Sequence, residues 1–271
     1  MSKQFLTTRI NNAYWRVVFS HPPMNLIDPD TILEFQQLVG EIETDENLRV
    51  VVFESSDPDY FFSRYDLARA AETPTEPGPS GLPTWIDMTT RISQTPVVSI
   101  ALIRGRTRGG GSELALAMDM RFASLEKAVF GQPEVAAGVL PGGGAIERLP
   151  LLTGRARALE IILGADDFDA RAAEHYGWIN RALPDAALDV FVDNLAQRIA
   201  SFDQPALREA KRLINRRSLP AAADLLETQN VFLTAVSSWP SLRARGQRIR
   251  ERAAGLGREF ELRLGHFLGK I

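Results

Sequence analysis

Two glutamates beside glycine-rich stretches are where this chain's acid–base chemistry can be sought: Glu113 in Gly109-Gly110-Gly111-Ser112-Glu113, and Glu134 in Gln132-Pro133-Glu134. Carboxyl groups held in a pocket can exchange protons with water or with carbon. The glycines allow a ligand to reach the backbone, because no side chain intervenes. If a helix starts at Gly110, its first amides lack partners within the helix and lie at its positive end. An anionic oxygen at the Gly110 amide then gains hydrogen bonds and dipole together, which is half of an oxyanion hole. Glu113 follows Gly110 by three residues, so donor and carboxylate share a helix face. The plainer reading is that Glu113 and Glu134 only complement helix N-termini, with Pro133 opening the second helix.

Other motifs narrow the chemistry. The glycine run has no following Gly-Lys-Ser/Thr and lacks the dinucleotide fingerprint, so neither a P-loop nor a nicotinamide site is expected. The stretch Asp59-Tyr-Phe-Phe-Ser63-Arg64-Tyr65-Asp66-Leu67 reads as a strand end turning into a helix, with Asp66 either capping it or binding a ligand. His21, His175 and His266 are scattered without ligand spacing and there is no cysteine, so no metal centre is expected. Arg243, Arg245, Arg248, Arg250, Arg252 and Arg258 face a single acid, Glu251, across residues 241–258. That run is either a solvated helix face or a patch for phosphates.

The elements that must position these residues alternate. Phe5 to Ile10 and Tyr14 to Ser20 suggest a hairpin around Asn11-Asn12, followed by a helix capped by Asp28 with Pro29 first and an apolar stripe to about Glu43. Arg49 to Phe53 and Val97 to Ile103 read as buried strands, and most of the candidate chemistry falls at strand-to-helix turns of an α/β fold. Pro and Gly crowd the stretch between Glu72 and Pro83, which reads as a surface loop or lid. From Thr153 the chain reads as helical: Arg155 to Leu163, a helix from an Asp169 cap to Gly177, and Asp185 to Ala200, with only Trp178 to Leu183 extended. Pro220 and Pro240 break the helices that follow.

Composition excludes other classes. A chain of 271 residues, 45% hydrophobic, can bury a sizeable core, and a formal charge of −3 offers no global attraction to nucleic acid or an anionic membrane. The first dozen residues lack a signal-peptide core, and no apolar run is long enough to span a bilayer. A soluble, cytoplasmic protein is expected.

Taken in order, Pro23-Met24-Asn25-Leu26, the Phe61 to Leu67 turn, Gly109-Gly-Gly-Ser-Glu113-Leu, Phe130-Gly-Gln-Pro-Glu134, Pro141-Gly-Gly-Gly, Glu147-Arg148-Leu149-Pro150, Gly154-Arg-Ala-Arg-Ala-Leu-Glu160 and Gly177-Trp-Ile-Asn180 resemble the enoyl-CoA hydratase/isomerase (crotonase) family. The resemblance implies a crotonase-like ββα spiral in residues 1–200, with two roughly perpendicular sheets, and a helical trimerisation region in residues 201–271. It implies a homotrimer or homohexamer acting on an acyl-CoA, with coenzyme A carried by the substrate and no separate cofactor. It assigns the amides of Tyr65 and Gly110 to the oxyanion hole, and Glu113 and Glu134 to catalysis of water addition to a trans-2-enoyl-CoA. Met24, Leu26, Ser63, Arg64, Asp66, Arg108 and Gly109 become substrate-binding candidates. The alternatives are a double-bond isomerase, a hydrolase of an unusual, carboxylated acyl-CoA, and a non-catalytic oligomeric binding protein.

The chain departs from the family pattern at the site. The usual Ala-Gly-Ala-Asp is Ser63-Arg64-Tyr65-Asp66, and the usual Asn-Gly-Tyr-Ala-Leu is Arg104-Gly105-Arg106-Thr107-Arg108. Arg64, Arg106 and Arg108 either bind an acyl carboxylate or coenzyme phosphates, or form ion pairs with local acids.

Overall fold

β-Branched and aromatic residues open the chain as a hairpin in which β1 (Phe5–Asn11) pairs antiparallel with β2 (Tyr14–Phe19). The computed structural model describes residues 3–74 and 76–271. Asp28 starts α1 (Pro29–Thr44) through a capping box: its carboxylate accepts the Thr31 amide at 2.8 Å, and Thr31 Oγ1 accepts the Asp28 amide at 3.1 Å.

Apolar runs then build a sheet whose central strands are buried on both faces. Its strands β3 (Val50–Ser55), β4 (Val98–Ile103), β6 (Met120–Ser124) and β9 (Arg181–Leu183) continue from β2, and the order is β1-β2-β3-β4-β6-β9. All neighbours except β1 and β2 run parallel, which needs crossovers and explains the alternation with helices. Alternate residues of β3 serve opposite faces: Val51 and Phe53 join the main core with α1, while Val50 and Val52 meet Leu188, Val192 and Ala196 of α8 (Asp185–Ala200).

The second sheet that the resemblance implies is present, but its strands were not read from the sequence pattern. It consists of β5 (Arg106–Arg108), β7 (Val129–Gly131) and β8 (Asp167–Asp169), in the order β5-β7-β8. Arg106–Arg108, to which the sequence reading assigned no strand, is thus a strand, and the stretch beyond Thr153 contains an extended segment besides residues 178–183. Also unforeseen is α2 (Thr84–Gln94), which precedes β4. The Pro-rich stretch before it folds back on this helix: Ser80 donates its amide and hydroxyl to the buried Asp87 carboxylate at 2.8 and 2.6 Å.

The glutamates sit on α3 (Gly110–Ala117) and α4 (Glu134–Ala137). Then follow α5 (Ala145–Thr153), α6 (Arg155–Gly164), and α7 (Ala170–Tyr176), which is capped by Asp169 and ends at Gly177 as its sequence signals require. After α8 come α9 (Gln204–Ser218), α10 (Ala222–Ser238), α11 (Pro240–Leu256), α12 (Arg258–Leu262) and α13 (Leu264–Leu268). Among the described residues, no helix is long and apolar enough to cross a membrane.

Candidate active site

The site forms where β5 runs into α3. Gly109 takes φ +50 and ψ −128, a conformation that a side chain disfavours, and turns the chain so that α3 begins at Gly110. One residue later the helix lies against the 61–63 turn so closely that a Cβ on Gly111 would stand 2.0 Å from Phe62 O. This approach brings Gly110 beside Tyr65: a Cβ on Gly110 would lie 3.6 Å from Tyr65 Cβ.

The Tyr65 amide is aimed by its own peptide unit. Arg64 O, the carbonyl of that unit, accepts the Ile27 amide at 2.9 Å, and Asp66 N donates to Ile27 O at 2.7 Å. In a trans peptide the Tyr65 N–H therefore points away from Ile27. Neither this amide nor that of Gly110 donates to any atom of the described residues. Two free donors on adjacent elements can hold one carbonyl oxygen.

The carboxyl groups converge on the same place. Glu113 is buried, and its Oε1 accepts the Gly143 amide at 2.7 Å and the Ala145 amide at 3.2 Å. Burial pushes its pKa up to about 7, against the opposing pull of those amides and of the Arg148 guanidinium. Glu134 packs its carboxyl against Gly109, where a Cβ would meet Oε1 at 2.6 Å, and its Oε2 is buried without a partner. Burial, and secondarily the charge of Glu113, raise Glu134 well above the usual carboxylate range. Two desolvated carboxyl groups that feel each other's charge resist losing both protons.

Of the other residues singled out from the sequence, Met24 and Leu26 are half-buried on the turn that leads to α1. Ser63 is buried, its amide donating to Asn25 O at 3.0 Å and its carbonyl accepting from Arg108 N at 2.8 Å. Asp66 caps the 3-10 turn Leu67–Glu72, accepting the Ala68 amide at 3.0 Å. The three arginines are ion-paired or bonded to carbonyls. Arg64 grips Glu261 at 2.5 and 3.1 Å, Arg108 grips Asp167 at 2.6 and 2.9 Å, and Arg106 donates to Leu262 O at 3.2 Å. In the C-terminal run, Arg243, Arg248 and Arg250 are exposed, whereas Arg245 donates to Ala136 O at 2.6 Å and Arg258 pairs with Asp59.

Several contributors escaped the sequence reading. The Trp85 indole stands over Gly110, 3.4 Å from where a Cβ would be, and donates from Nε1 to Gly143 O at 3.2 Å. Arg148 is buried behind Glu113, with its Nε and one terminal nitrogen unpartnered, and burial lowers its pKa to about 10. The motif Glu147-Arg148-Leu149-Pro150 was the available signal for Arg148; nothing local marks Trp85, Asp167 or Glu261. A cavity of about 400 Å³ lies between α3, α5 and α9 and is lined by Leu116, Arg148, Leu152, Leu207, Lys211 and Ile214 among others. Among the described residues, no group of three or more acidic or imidazole side chains is placed to hold a metal ion.

The sequence profile described as enoyl-CoA hydratase/isomerase matches residues 9–247. The chain belongs to this family. A short-chain-enoyl-CoA hydratase of Clostridium acetobutylicum is 31% identical over 195 residues, 71% of this chain and 74% of that protein. A crotonyl-CoA hydratase of Syntrophomonas wolfei is 33% identical over 196 residues, again 71% and 74%. The crystal structure of a candidate enoyl-CoA hydratase from Streptomyces avermitilis superposes with a TM-score of 0.92 at 40% identity, covering 99% of this chain and 97% of that one. The fold is the crotonase fold, as the ordered motifs implied, and the chain is an enzyme of the enoyl-CoA hydratase/isomerase family.

Proposed function

We propose that this enzyme adds water reversibly to a trans-2-enoyl-CoA thioester. The observation that carries the reading is the convergence of two mutually interacting glutamates, Glu113 buried and Glu134 with a buried carboxyl oxygen, with two unpaired backbone amides. In the forward direction the thioester oxygen lies between the amides of Tyr65 and Gly110, which stabilise the enolate as charge moves onto it. Each such donor contributes about 3–4 kcal/mol to lowering the barrier.

The different surroundings of the two acids divide their work. Glu113 accepts two backbone N–H groups that favour its ionised form, whereas Glu134 Oε2 has no donor, so in this reading the pair's negative charge rests on Glu113 and the proton on Glu134. Carboxylate Glu113 takes a proton from water as the oxygen bonds to the β-carbon. Glu134 delivers its proton to the α-carbon, collapsing the enolate, and proton exchange with solvent resets the pair. No metal or redox step enters, and coenzyme A arrives with the substrate. Retention of both glutamates favours hydration over isomerisation.

The packing of Trp85 over Gly110 is the one observation that favours a non-catalytic binding protein. Steady-state hydration of a panel of trans-2-enoyl-CoA thioesters, with calorimetric titration of the same ligands, separates the readings. Hydration of at least one member is expected. Absence of both turnover and binding across the panel sinks the hydratase reading. Exposed apolar side chains on α5, α6 and α9, including Leu151, Leu163 and Ile214, support assembly into a trimer or hexamer, which sedimentation velocity checks.

A further inference from the structure

Three of the four arginines that break the family pattern, Arg64, Arg106 and Arg108, converge on one short C-terminal helix, while Arg104 pairs with Asp185 and Asp189 of α8. Arg64 forks onto the Glu261 carboxylate through Nε at 3.1 Å and a terminal nitrogen at 2.5 Å. Arg108, only 1% exposed, donates to Glu261 O at 2.8 Å and Leu262 O at 3.3 Å, and Arg106 donates to Leu262 O at 3.2 Å. These bonds occupy carbonyls at the C-terminal end of α12, where cations complement the helix dipole. Asp167, which grips Arg108, accepts the Gly265 amide at 3.2 Å and so carries the link into α13. Phe260, Leu264, Phe267 and Leu268 bury an apolar cluster against Ala136 of α4 and Ile249 and Ala253 of α11. The C-terminal segment therefore reaches both the turn bearing Tyr65 and the helix bearing Glu134, in the same chain.

The contacts at Arg64 determine what this does. The peptide unit that presents the Tyr65 N–H has Arg64 O at its other end, bonded to Ile27 N. The Arg64 guanidinium bends back and donates to Tyr65 O at 3.0 Å, fixing the following peptide unit as well. The Tyr65 amide is thus held from both sides, and one of the two holds depends on a side chain that Glu261 anchors. A small residue at position 64, as in the family's usual Ala-Gly-Ala-Asp, has no side chain with which to do this.

We infer that Glu261 is a positioning residue: through Arg64 it sets the direction of the Tyr65 amide, and so the strength of the oxyanion hole. The inference rests on the proposal that this amide holds the thioester oxygen. A bidentate carboxylate–guanidinium pair fixes orientation as well as charge, which is what a preorganised donor needs. Touching neither substrate nor the reacting atoms, Glu261 acts on the transition state rather than on binding of the coenzyme moiety.

The test uses the full-length protein, with crotonyl-CoA hydration as one readout and, as a readout free of turnover, the infrared stretch of the ¹³C-labelled thioester carbonyl of bound butyryl-CoA. Binding to wild type should lower that frequency. Glu261→Gln should lose part of the shift and about tenfold in kcat, with KM within about twofold. Arg64→Met should match it, and the double variant should lose no more than either single one, since both break the same link. Glu259→Gln, which removes an exposed acid of the same helix that pairs with Arg263 at 3.5 Å, should behave as wild type. A wild-type carbonyl shift and kcat in Glu261→Gln, or an equal loss in Glu259→Gln, overturns the positioning role while leaving the hydratase reading intact. No carbonyl shift in wild type overturns the oxyanion-hole reading itself, and the positioning role with it.

Discussion

Replacing Glu113 by glutamine should stabilise the protein, and by more as the pH rises. The cause is the burial that moves this carboxyl from 4.5 to about 7. Because the folded value is the higher one, the folded state holds a proton that the unfolded chain gives up between those pH values. The stability conferred by that proton is fully present below pH 4.5 and is lost as the pH rises through 7. At about 1.4 kcal/mol per pH unit, the loss above pH 7 comes to about 3 kcal/mol. Glutamine has nothing to ionise, and its carbonyl can still accept from Gly143 and Ala145. The gap between variant and wild type should therefore widen by about 2.5 kcal/mol from pH 5 to pH 8. For a chain of this size that corresponds to roughly 5–10 °C in Tm. Thermal unfolding of both proteins across this range, followed by circular dichroism, measures it. A variant no more stable than wild type at pH 8, or a gap that stays constant with pH, refutes the assignment of Glu113 as a desolvated, ionisable acid.

Hydration should show a bell-shaped pH profile, with its acid limb near pH 7 from Glu113 and its alkaline limb where Glu134 loses its proton. Arg148→Met removes a positive charge that favours ionised Glu113, so the acid limb should move to higher pH; an unmoved limb contradicts the electrostatic link. Gly111→Ala forces a methyl group to within 2.0 Å of Phe62 O and should destabilise by about 3 kcal/mol in urea unfolding.

Local signals wrote the parts of this fold that local physics controls. Asp28 and Pro29 fix the start of α1, Asp169 and Gly177 bound α7, and the valine-rich runs of β3 and β4 could only be buried strands. The second sheet came only with the resemblance; its strands were illegible locally because each is three residues long and Arg106–Arg108 carries two charges. The partners of these guanidinium groups are remote in the chain: for Arg108, the Asp167 carboxylate at 59 residues and the Glu261 backbone carbonyl at 153. Helix α2 was hidden because Pro83 offers no side-chain cap and because Asp87, Thr89 and Ser93 are polar yet buried. Glu113 and Glu134 were legible as paired acids only through the ordered set of motifs, since each taken singly fits a helix N-terminus equally well. The arginines at the site invited a ligand, and the structure gives them carboxylates and carbonyls of the same chain.

The most direct test of the two-carboxylate proposal is the rate of crotonyl-CoA hydration by wild type, Glu113→Gln and Glu134→Gln, each saturated with substrate at the wild-type optimum pH. Loss of either acid should lower kcat by about 10²–10⁴-fold while thioester binding persists. Turnover unchanged in both variants would contradict the mechanism outright.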